Sequence, residues 1–348
     1  MISIIIPTYN ERENLEELVS RIDRALAGVD YEIVIVDDNS PDGTADLARE
    51  LSSKYPIKVK VRPGKMGLSS AVVEGLELTE GDVVAVMDAD LQHPPELLPE
   101  LYRKVTEGCD IAIASRYVEG GSVAGWGLVR RIISRGSILL AWILLPRVRG
   151  IRDPSSGYFM FKRSVVEEIV EYLDPKGFKI LLEVLVKGNY SKVCEVPYTF
   201  GLRRRGSSKL GGGVILSYLL HVLELSPPIV RFAIVGAVGT VVNLTVLWIL
   251  RYGLKLIHEI ASAVAIEVSL LSNFLLNDIW TFRRRRRSGF IQSILRYHVA
   301  NLAGIITQYG VSVSLHRFLG VESLASQFVG ILVGFLVNYA LSKSVVWW

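Results

Sequence analysis

Gly81-Asp82-Val83-Val84-Ala85-Val86-Met87-Asp88-Ala89-Asp90-Leu91-Gln92-His93-Pro94 holds a short buried strand and what emerges from it. Val83 to Met87 is apolar and mostly β-branched after a Gly-Asp turn, the pattern of a strand covered on both faces. Two carboxylates, Asp88 and Asp90, leave the C-terminal edge of that strand one residue apart, and the amide of Gln92 follows two residues later. In α/β sheets, ligands bind beyond that edge. Hard oxygen donors at this spacing suit Mg2+ or Mn2+ that keeps waters and takes phosphate oxygens from a substrate. The same residues also suit a plain turn ahead of Pro94-Pro95, so the neighbouring strands must decide.

They repeat the pattern. Ser3 to Pro7 is a strand followed by the polar turn Thr8-Tyr9-Asn10-Glu11, and helical periodicity starts near Asn14. Ile33 to Val36 is a second buried strand, ending in Asp37-Asp38. The turn Asn39-Ser40-Pro41-Asp42-Gly43-Thr44 then opens a helix with several capping oxygens. Three strand ends, each delivering acids to one edge, favour a cation-dependent nucleotide site.

These motifs, in this order, resemble the inverting family 2 glycosyltransferases of GT-A fold. Within that family they resemble the polyprenyl-phosphate sugar transferases, the dolichol-phosphate mannose synthases in particular. The similarity covers roughly residues 1–212 and continues in Ser115-Arg116-Tyr117, in Asp153-Pro154-Ser155-Ser156-Gly157-Tyr158-Phe159 and in the basic stretch from Phe200 to Leu210. Asn39 departs from the small residue usual there, although Asn tolerates positive φ. The resemblance implies a donor site at Pro7, Tyr9, Glu11, Asp37 and Asp38. It also implies that Asp88, Asp90 and Gln92, around Ala89, hold Mg2+ or Mn2+ and through it a diphosphate. Lys65 and Gly67 are either nucleotide contacts or an ordinary surface turn. His93 is expected to pack against the site. GDP-mannose is the favoured donor, with UDP-glucose or another hexose donor as the alternative, and the acceptor is a polyprenyl or dolichyl phosphate.

A phosphate monoester is mostly dianionic at neutral pH and needs no general base to become a nucleophile. It needs cations that neutralise and aim it. Arg116, Arg130, Arg203 and Lys209 are the candidates, with Ser134 beside Arg130, because guanidinium matches phosphate geometry bidentately.

The 348 residues carry a formal charge of +4 and a mean hydropathy of +0.35, too apolar for a wholly soluble chain. The apolar excess is uneven. Residues 1–226 alternate strands with charged helical stretches, as in a cytosolic α/β enzyme. Residues 227–348 look like membrane: Phe232 to Leu250 is uncharged and long enough to span, and further candidates run Ile260–Leu276, Val299–Leu315 and Leu324–Leu341. These predict four spans. An offset of 65 aligns Arg231 with Arg296, Gly239 with Gly304, Asn243 with Gln308 and Asn273 with Asn338, which suggests a duplicated hairpin. Through Asn273-Phe274-Leu275-Leu276-Asn277 and Trp280-Thr281-Phe282 the tail resembles the four-span modules of the O-antigen glucosyl-translocation type.

The arginine block Arg283 to Arg287 lies between the second and third spans and predicts a cytosolic loop. This places the catalytic half on the cytosolic face of the cell membrane. Topology accounts for the block, so no nucleic-acid partner is expected. Two shorter apolar stretches, near 130–146 and 213–226, fit either helices lying at the lipid headgroups or core helices of the first domain. Glu267, an ionisable residue within a span, hints at translocation of a lipid-linked sugar; a hydrogen bond to Asn243 or Gln308 is its plainer role. Met1 runs straight into a strand with no signal-peptide pattern. With only Cys109 and Cys194 present, no disulfide framework is expected.

Overall fold

The computed structural model describes residues 1–173, 179–201, 212–281 and 290–345. It divides into two compact units, Met1–Leu225 and Ser226–Trp348. The first is an α/β unit with nine strands among the described residues: β1 Ile2–Thr8, β2 Tyr31–Asp37, β3 Ile57–Val61, β4 Val83–Val86, β5 Ile111–Ser115, β6 Ser122–Val123, β7 Phe159–Lys162, β8 Val193–Pro197 and β9 Thr199–Phe200. Its helices are α1 Arg12–Ala25, α2 Thr44–Leu51, α3 Leu68–Leu78, α4 Leu98–Thr106, α5 Leu128–Leu144, α6 Ile180–Lys187 and α7 Gly212–Leu225.

Seven strands form one sheet in the order β3-β2-β1-β4-β7-β5-β8, parallel except for β7, while β6 and β9 pair separately. Period-two alternation decides which face each residue serves. Ile2, Ile4 and Ile6 of β1 join Leu15, Leu18 and Ile22 of α1 in one core; Ile5 joins Ala71, Val72 and Leu76 of α3 in the other. Both faces are covered, which is why β1, β2 and β4 read as continuous apolar runs.

The order reverses between β1 and β4, and there the two strands part. Their ladder ends at Ile5↔Val86, with Met87 N still donating to the Ile5 carbonyl at 3.2 Å. Pro7 has the same parity as Ile5 and so turns its donor-less nitrogen toward the gap, where no ladder bond is lost. The crevice sits at a topological switch point, where open α/β sheets take ligands.

Cys109 and Cys194 form a disulfide, with Cα atoms 6.0 Å apart, where no disulfide framework was expected. Parallel pairing of β5 with β8 brings residue 194 beside Ala112, and the turn into β5 places Cys109 within reach. The cysteines lie 85 residues apart in the chain, and no local spacing signals that pairing.

The second unit is helical: α8 Pro228–Trp248, α9 His258–Leu276, α10 Phe290–Leu319 and α11 Ser323–Val345. Among the described residues two segments, Pro228–Gly253 and His258–Thr281, are long and apolar enough to cross a membrane. The 65-residue offset is visible in three dimensions. A Cβ on Gly239 would collide with the Asn273 amide, and a Cβ on Gly304 with the Asn338 amide, so each hairpin seats an asparagine against a glycine at equivalent positions. Asn338 also accepts a bond from the Gly304 N–H at 3.0 Å. Gln327, fully buried, accepts from Ser262 and Ser312 and donates to Asn243, tying all four helices. Glu267 pairs with neither Asn243 nor Gln308; it lies 3.0 Å from His298 Nε2. The arginine block falls at 283–287, outside the described residues.

Candidate active site

Asp88, Asp90 and Gln92 line one cavity of about 500 Å³ beyond the end of β4. Leu91, between the last two, sits at φ +59°, in the left-handed region that an L residue with a bulky side chain enters at a cost of roughly 1–2 kcal/mol. That turn lets Asp90 accept from the Gln92 N–H at 3.2 Å while both side chains reach the same space. Gln92 is held from outside the turn: its Nε2 donates to the Gly201 carbonyl at 2.8 Å, and Gly201 N donates back to the Gln92 carbonyl at 3.1 Å. With the amide nitrogen so engaged, Oε1 is the end that remains for a cation.

Two carboxylates and an amide oxygen make a hard, incomplete donor set. Among the described residues no three His, Cys, Asp or Glu side chains cluster as a metal cage. The oxygen donors themselves fit Mg2+ or Mn2+, which completes its shell with waters and substrate phosphate oxygens.

His93 packs behind this turn, as the sequence implies. It is 1 % exposed, stacks on Tyr158 at 5.2 Å, and accepts the Asp88 N–H at Nδ1 (3.0 Å). Burial pushes its pKa down to about 4, so the ring is neutral and its 3.7 Å approach to Asp88 Oδ2 is not an ion pair. Gly157 closes the other side; a Cβ there would sit 3.2 Å from Asp88 Oδ2 and from His93 Cε1.

Arg116, Arg130 and Ser134 line the same cavity. The Arg130 guanidinium lies 4.1 Å from the Trp126 ring centroid, and the Ser134 hydroxyl accepts from Tyr117 Oη at 2.7 Å. Arg116 is differently placed. Its Nε and Nη2 each donate at 2.7 Å to Asp153, a carboxylate with no exposed surface, and its backbone N–H donates to the same group at 3.0 Å. This pairing engages one edge of the guanidinium. The remaining wall is apolar, with Ile133 and Leu140 of α5 facing Val214, Ile215 and Leu219 of α7.

Lys179 also lines the cavity, and no motif pointed to it. Its Nζ donates to the Ser155 carbonyl at 2.7 Å. Burial and Arg116 push its pKa down, with Arg130 adding to them; Asp88 and Asp153 push it up, and it settles at about 8. A lone lysine ahead of a short helix carries no local signal, because residues distant in sequence create its surroundings.

The donor residues implied at β1 and β2 gather at the neighbouring edge, outside this cavity's wall. Asp37, fully buried, accepts from Thr8 Oγ1 (2.8 Å) and from the hydroxyl and N–H of Ser40. Asp38 pairs with the fully buried side chain of Arg62 at 2.6 Å and accepts the N–H groups of Met66 and Gly67 at 3.1 Å. Both acids are held by protein donors that shape this edge. Ala89 is core, 3 % exposed, leaving only its backbone for a ligand. Glu11 accepts from Asn14 Nδ2 at 2.8 Å, and Pro7 and Tyr9 are half-buried. The exposed Lys65 holds Nζ 4.4 Å from the Tyr9 ring centroid, and Gly67 caps α3 at φ +100°. Arg203 and Lys209 lie outside the described residues.

Residues 3–170 match the glycosyl transferase family 2 model, and residues 231–347 match the GtrA/DPMS transmembrane domain. A dolichol-phosphate mannosyltransferase of Pyrococcus furiosus is 51 % identical over 99 % of both chains. One from Mycosarcoma maydis is 39 % identical over 70 % of this chain and 85 % of its own. A polyprenol monophosphomannose synthase of Mycolicibacterium smegmatis is 42 % identical over 64 % and 85 %. Among solved structures, glucosyl-3-phosphoglycerate synthase of Mycobacterium tuberculosis, in complex with Mg2+ and UDP, is similar with a TM-score of 0.51 at 22 % identity. It covers 65 % of this chain and 79 % of that one, a likeness of fold. The two domain matches and a full-length relative at this identity give the assignment: the chain belongs to the dolichol-phosphate mannosyltransferases, family 2 glycosyltransferases of GT-A architecture that carry a GtrA/DPMS transmembrane domain.

Proposed function

We propose that this chain transfers mannose from GDP-mannose to a polyprenyl phosphate, with inversion at the anomeric carbon, on the cytosolic face of a membrane. One observation carries the reading: a single cavity joins a hard-oxygen end, Asp88, Asp90 and Gln92, to a cationic middle and an apolar wall from α5 and α7. A diphosphate suits the first, a phosphate monoester the second and a prenyl chain the third. The names of the relatives support mannose and a lipid phosphate.

Bound Mg2+ or Mn2+ would supply charge neutralisation at the diphosphate leaving group. Asp88 and Asp90 would hold that cation, and the Gly201 carbonyl keeps Gln92 turned to join them. Arg130 and Ser134 aim the acceptor phosphate, whose dianion attacks without a general base. In-line displacement converts an α-linked donor into a β-linked lipid product. The exposed apolar side chains of α5, Leu128, Ile132, Leu139 and Ile143, follow one helical stripe, which suits a lipid surface. Four spans, with the 283–287 arginines on the cytosolic side, complete the topology.

The test is a panel of nucleotide sugars offered with one polyprenyl phosphate to the full chain in detergent, with the product's anomeric configuration read by NMR. GDP-mannose giving a β-mannosyl phosphate is the expected result. Preference for a UDP-hexose, or an α-linked product, overturns the proposal.

A further inference from the structure

We propose that the Ser155 hydroxyl binds a hydroxyl group of the hexose being transferred, which makes Ser155 a specificity-determining residue for the donor sugar. This rests on the functional reading above and assigns a residue that the sequence motifs contain but give no role. Two adjacent serines differ in what they do. Ser156 Oγ donates to the Ala114 carbonyl at 2.8 Å and serves the fold. Ser155 lines the cavity, yet it is 5 % exposed and its Oγ is buried without a hydrogen-bond partner. An unpaired buried hydroxyl is costly, and native proteins seldom keep one without a use. The neighbouring Tyr218 hydroxyl gives its proton to the Ser137 carbonyl at 2.8 Å and so offers Ser155 no donor. The Ser155 oxygen is therefore left to accept from a ligand in the cavity.

Its place in the cavity identifies that ligand. The stretch from Asp153 to Gly157 holds Arg116 at one end, through two bonds of 2.7 Å to Asp153. At the other end a Cβ on Gly157 would lie 3.2 Å from Asp88 Oδ2. Ser155 is midway. Its carbonyl accepts from Lys179 Nζ at 2.7 Å, and the charges of both Asp88 and Arg130 act on that lysine. The backbone of Ser155 is thus anchored between the hard-oxygen end and the acceptor arginine. On the functional reading a diphosphate occupies the first and a phosphate monoester the second, so the sugar passes between them. A hexose presents hydroxyls that both donate and accept, as serine does, and the two groups satisfy each other without any charge. A site built to bond a substrate hydroxyl rejects the analogue that lacks it, because its own buried group is then left unpaired.

The experiment is a double-mutant cycle between protein and substrate, run on the full chain in detergent. Wild type and Ser155→Ala are each offered GDP-mannose and its monodeoxy analogues, with one polyprenyl phosphate as acceptor. Ser155→Ala keeps the carbonyl that Lys179 binds and should lower kcat/KM for GDP-mannose on the order of 10-fold, the loss of one neutral hydrogen bond in a buried site. Affinity for GDP with Mg2+, read by calorimetry, should not change, because GDP carries no sugar. In wild type one deoxy analogue should lose about as much as the mutation does, and in Ser155→Ala that analogue should lose nothing more. Normal kinetics in Ser155→Ala overturn the proposal. So does a loss in every analogue that simply adds to that of the mutation, or a fall in GDP affinity that accounts for the whole effect. If Ser155→Ala does not fold, Ser155→Cys takes its place in the cycle, since it keeps the bulk with only a weak donor and acceptor. A chain that does not use GDP-mannose removes the functional reading itself, whereas GDP-mannose used by both proteins with purely additive losses removes only the assignment of Ser155.

Discussion

Asp37-Asp38 and Asp88-Ala89-Asp90 look alike in sequence: acids leaving the C-terminal edge of a buried parallel strand. The fold places them in different surroundings. After β2, each carboxylate is satisfied by protein: Asp37 by Thr8 and Ser40, Asp38 by Arg62, Met66 and Gly67. After β4, both acids face a cavity, together with an amide that the distant Gly201 holds. What separates them is what the following chain supplies. After β2 come short polar turns and, at the end of β3, an arginine; after β4 a left-handed Leu91 turns the chain and β1 has diverged.

The largest expected effect tests the open pair. Asp90→Asn should cost several kcal/mol of transition-state charge stabilisation, on the order of a thousandfold in rate, with no loss of thermal stability. Full activity of that variant in EDTA would end the cation model. The closed pair should fail the other way. Asp38→Ala leaves the buried Arg62 with one acid, Glu74, at 3.1 Å and one-third exposed, beside the neutral Gly67 carbonyl and Ser70 hydroxyl, so stability should fall by about 3 kcal/mol, near the lower end for a broken buried pair. Chemical denaturation reads this directly. Because the Met66-Gly67 turn loses its anchor, nucleotide affinity should fall too. An Asp38→Ala protein of normal stability that binds no nucleotide would make Asp38 a ligand after all, and the contrast would collapse.

The sequence carried the strands, the edge and the cavity's acids because these are local: alternation, turn chemistry and spacing write them directly. It did not carry which acids face the cavity. That depends on Arg62 reaching back to Asp38 across 24 residues and on Gly201 reaching Gln92 across 109. It named Arg116 without its partner, because an arginine's partner cannot be read from its neighbours, and Asp153 is 37 residues away. Lys179 was silent for the same reason. The disulfide was hidden by a pairing of two strand starts far apart in the chain. In the membrane half the repeat was legible, since Gly239/Asn273 and Gly304/Asn338 recur at one offset and make the same contact. The partner of Glu267 was not.

Support for the open pair comes from β8, whose continuation delivers Gly201 to Gln92 and whose Glu195 accepts the N–H groups of Arg152 and Asp153. β8 is an edge strand, bonded only to β5, and the Cys109–Cys194 bridge fastens its start. Cys194→Ser should cost about 2–4 kcal/mol, typical for a bridge closing a long loop. A reducing agent should lower the melting temperature of wild type and leave Cys194→Ser unmoved. If the two proteins melt alike in oxidising buffer, β8 is held by its ladder alone.

The smallest effect is expected at a third kind of carboxylate. Glu267 has a partner, as Asp38 has, yet about half of its side chain is exposed, and His298 lies 3.0 Å away. It lies in the helical unit, and every residue assigned to donor, cation or acceptor precedes Ser226 in the chain. Glu267→Gln keeps an oxygen for the His298 ring while removing the charge. Sugar transfer in detergent should therefore stay within about twofold of wild type, as for a substitution remote from the cavity. The informative measurement adds sealed vesicles: transfer from outside, with the lipid product followed to the inner leaflet. Wild type and Glu267→Gln should give the same distribution if the helices only anchor the enzyme. A wild type that delivers product inward, beside a variant that transfers sugar but delivers none, would make Glu267 a functional acid of a second activity. The contrast between open and closed carboxylates would then extend into the membrane.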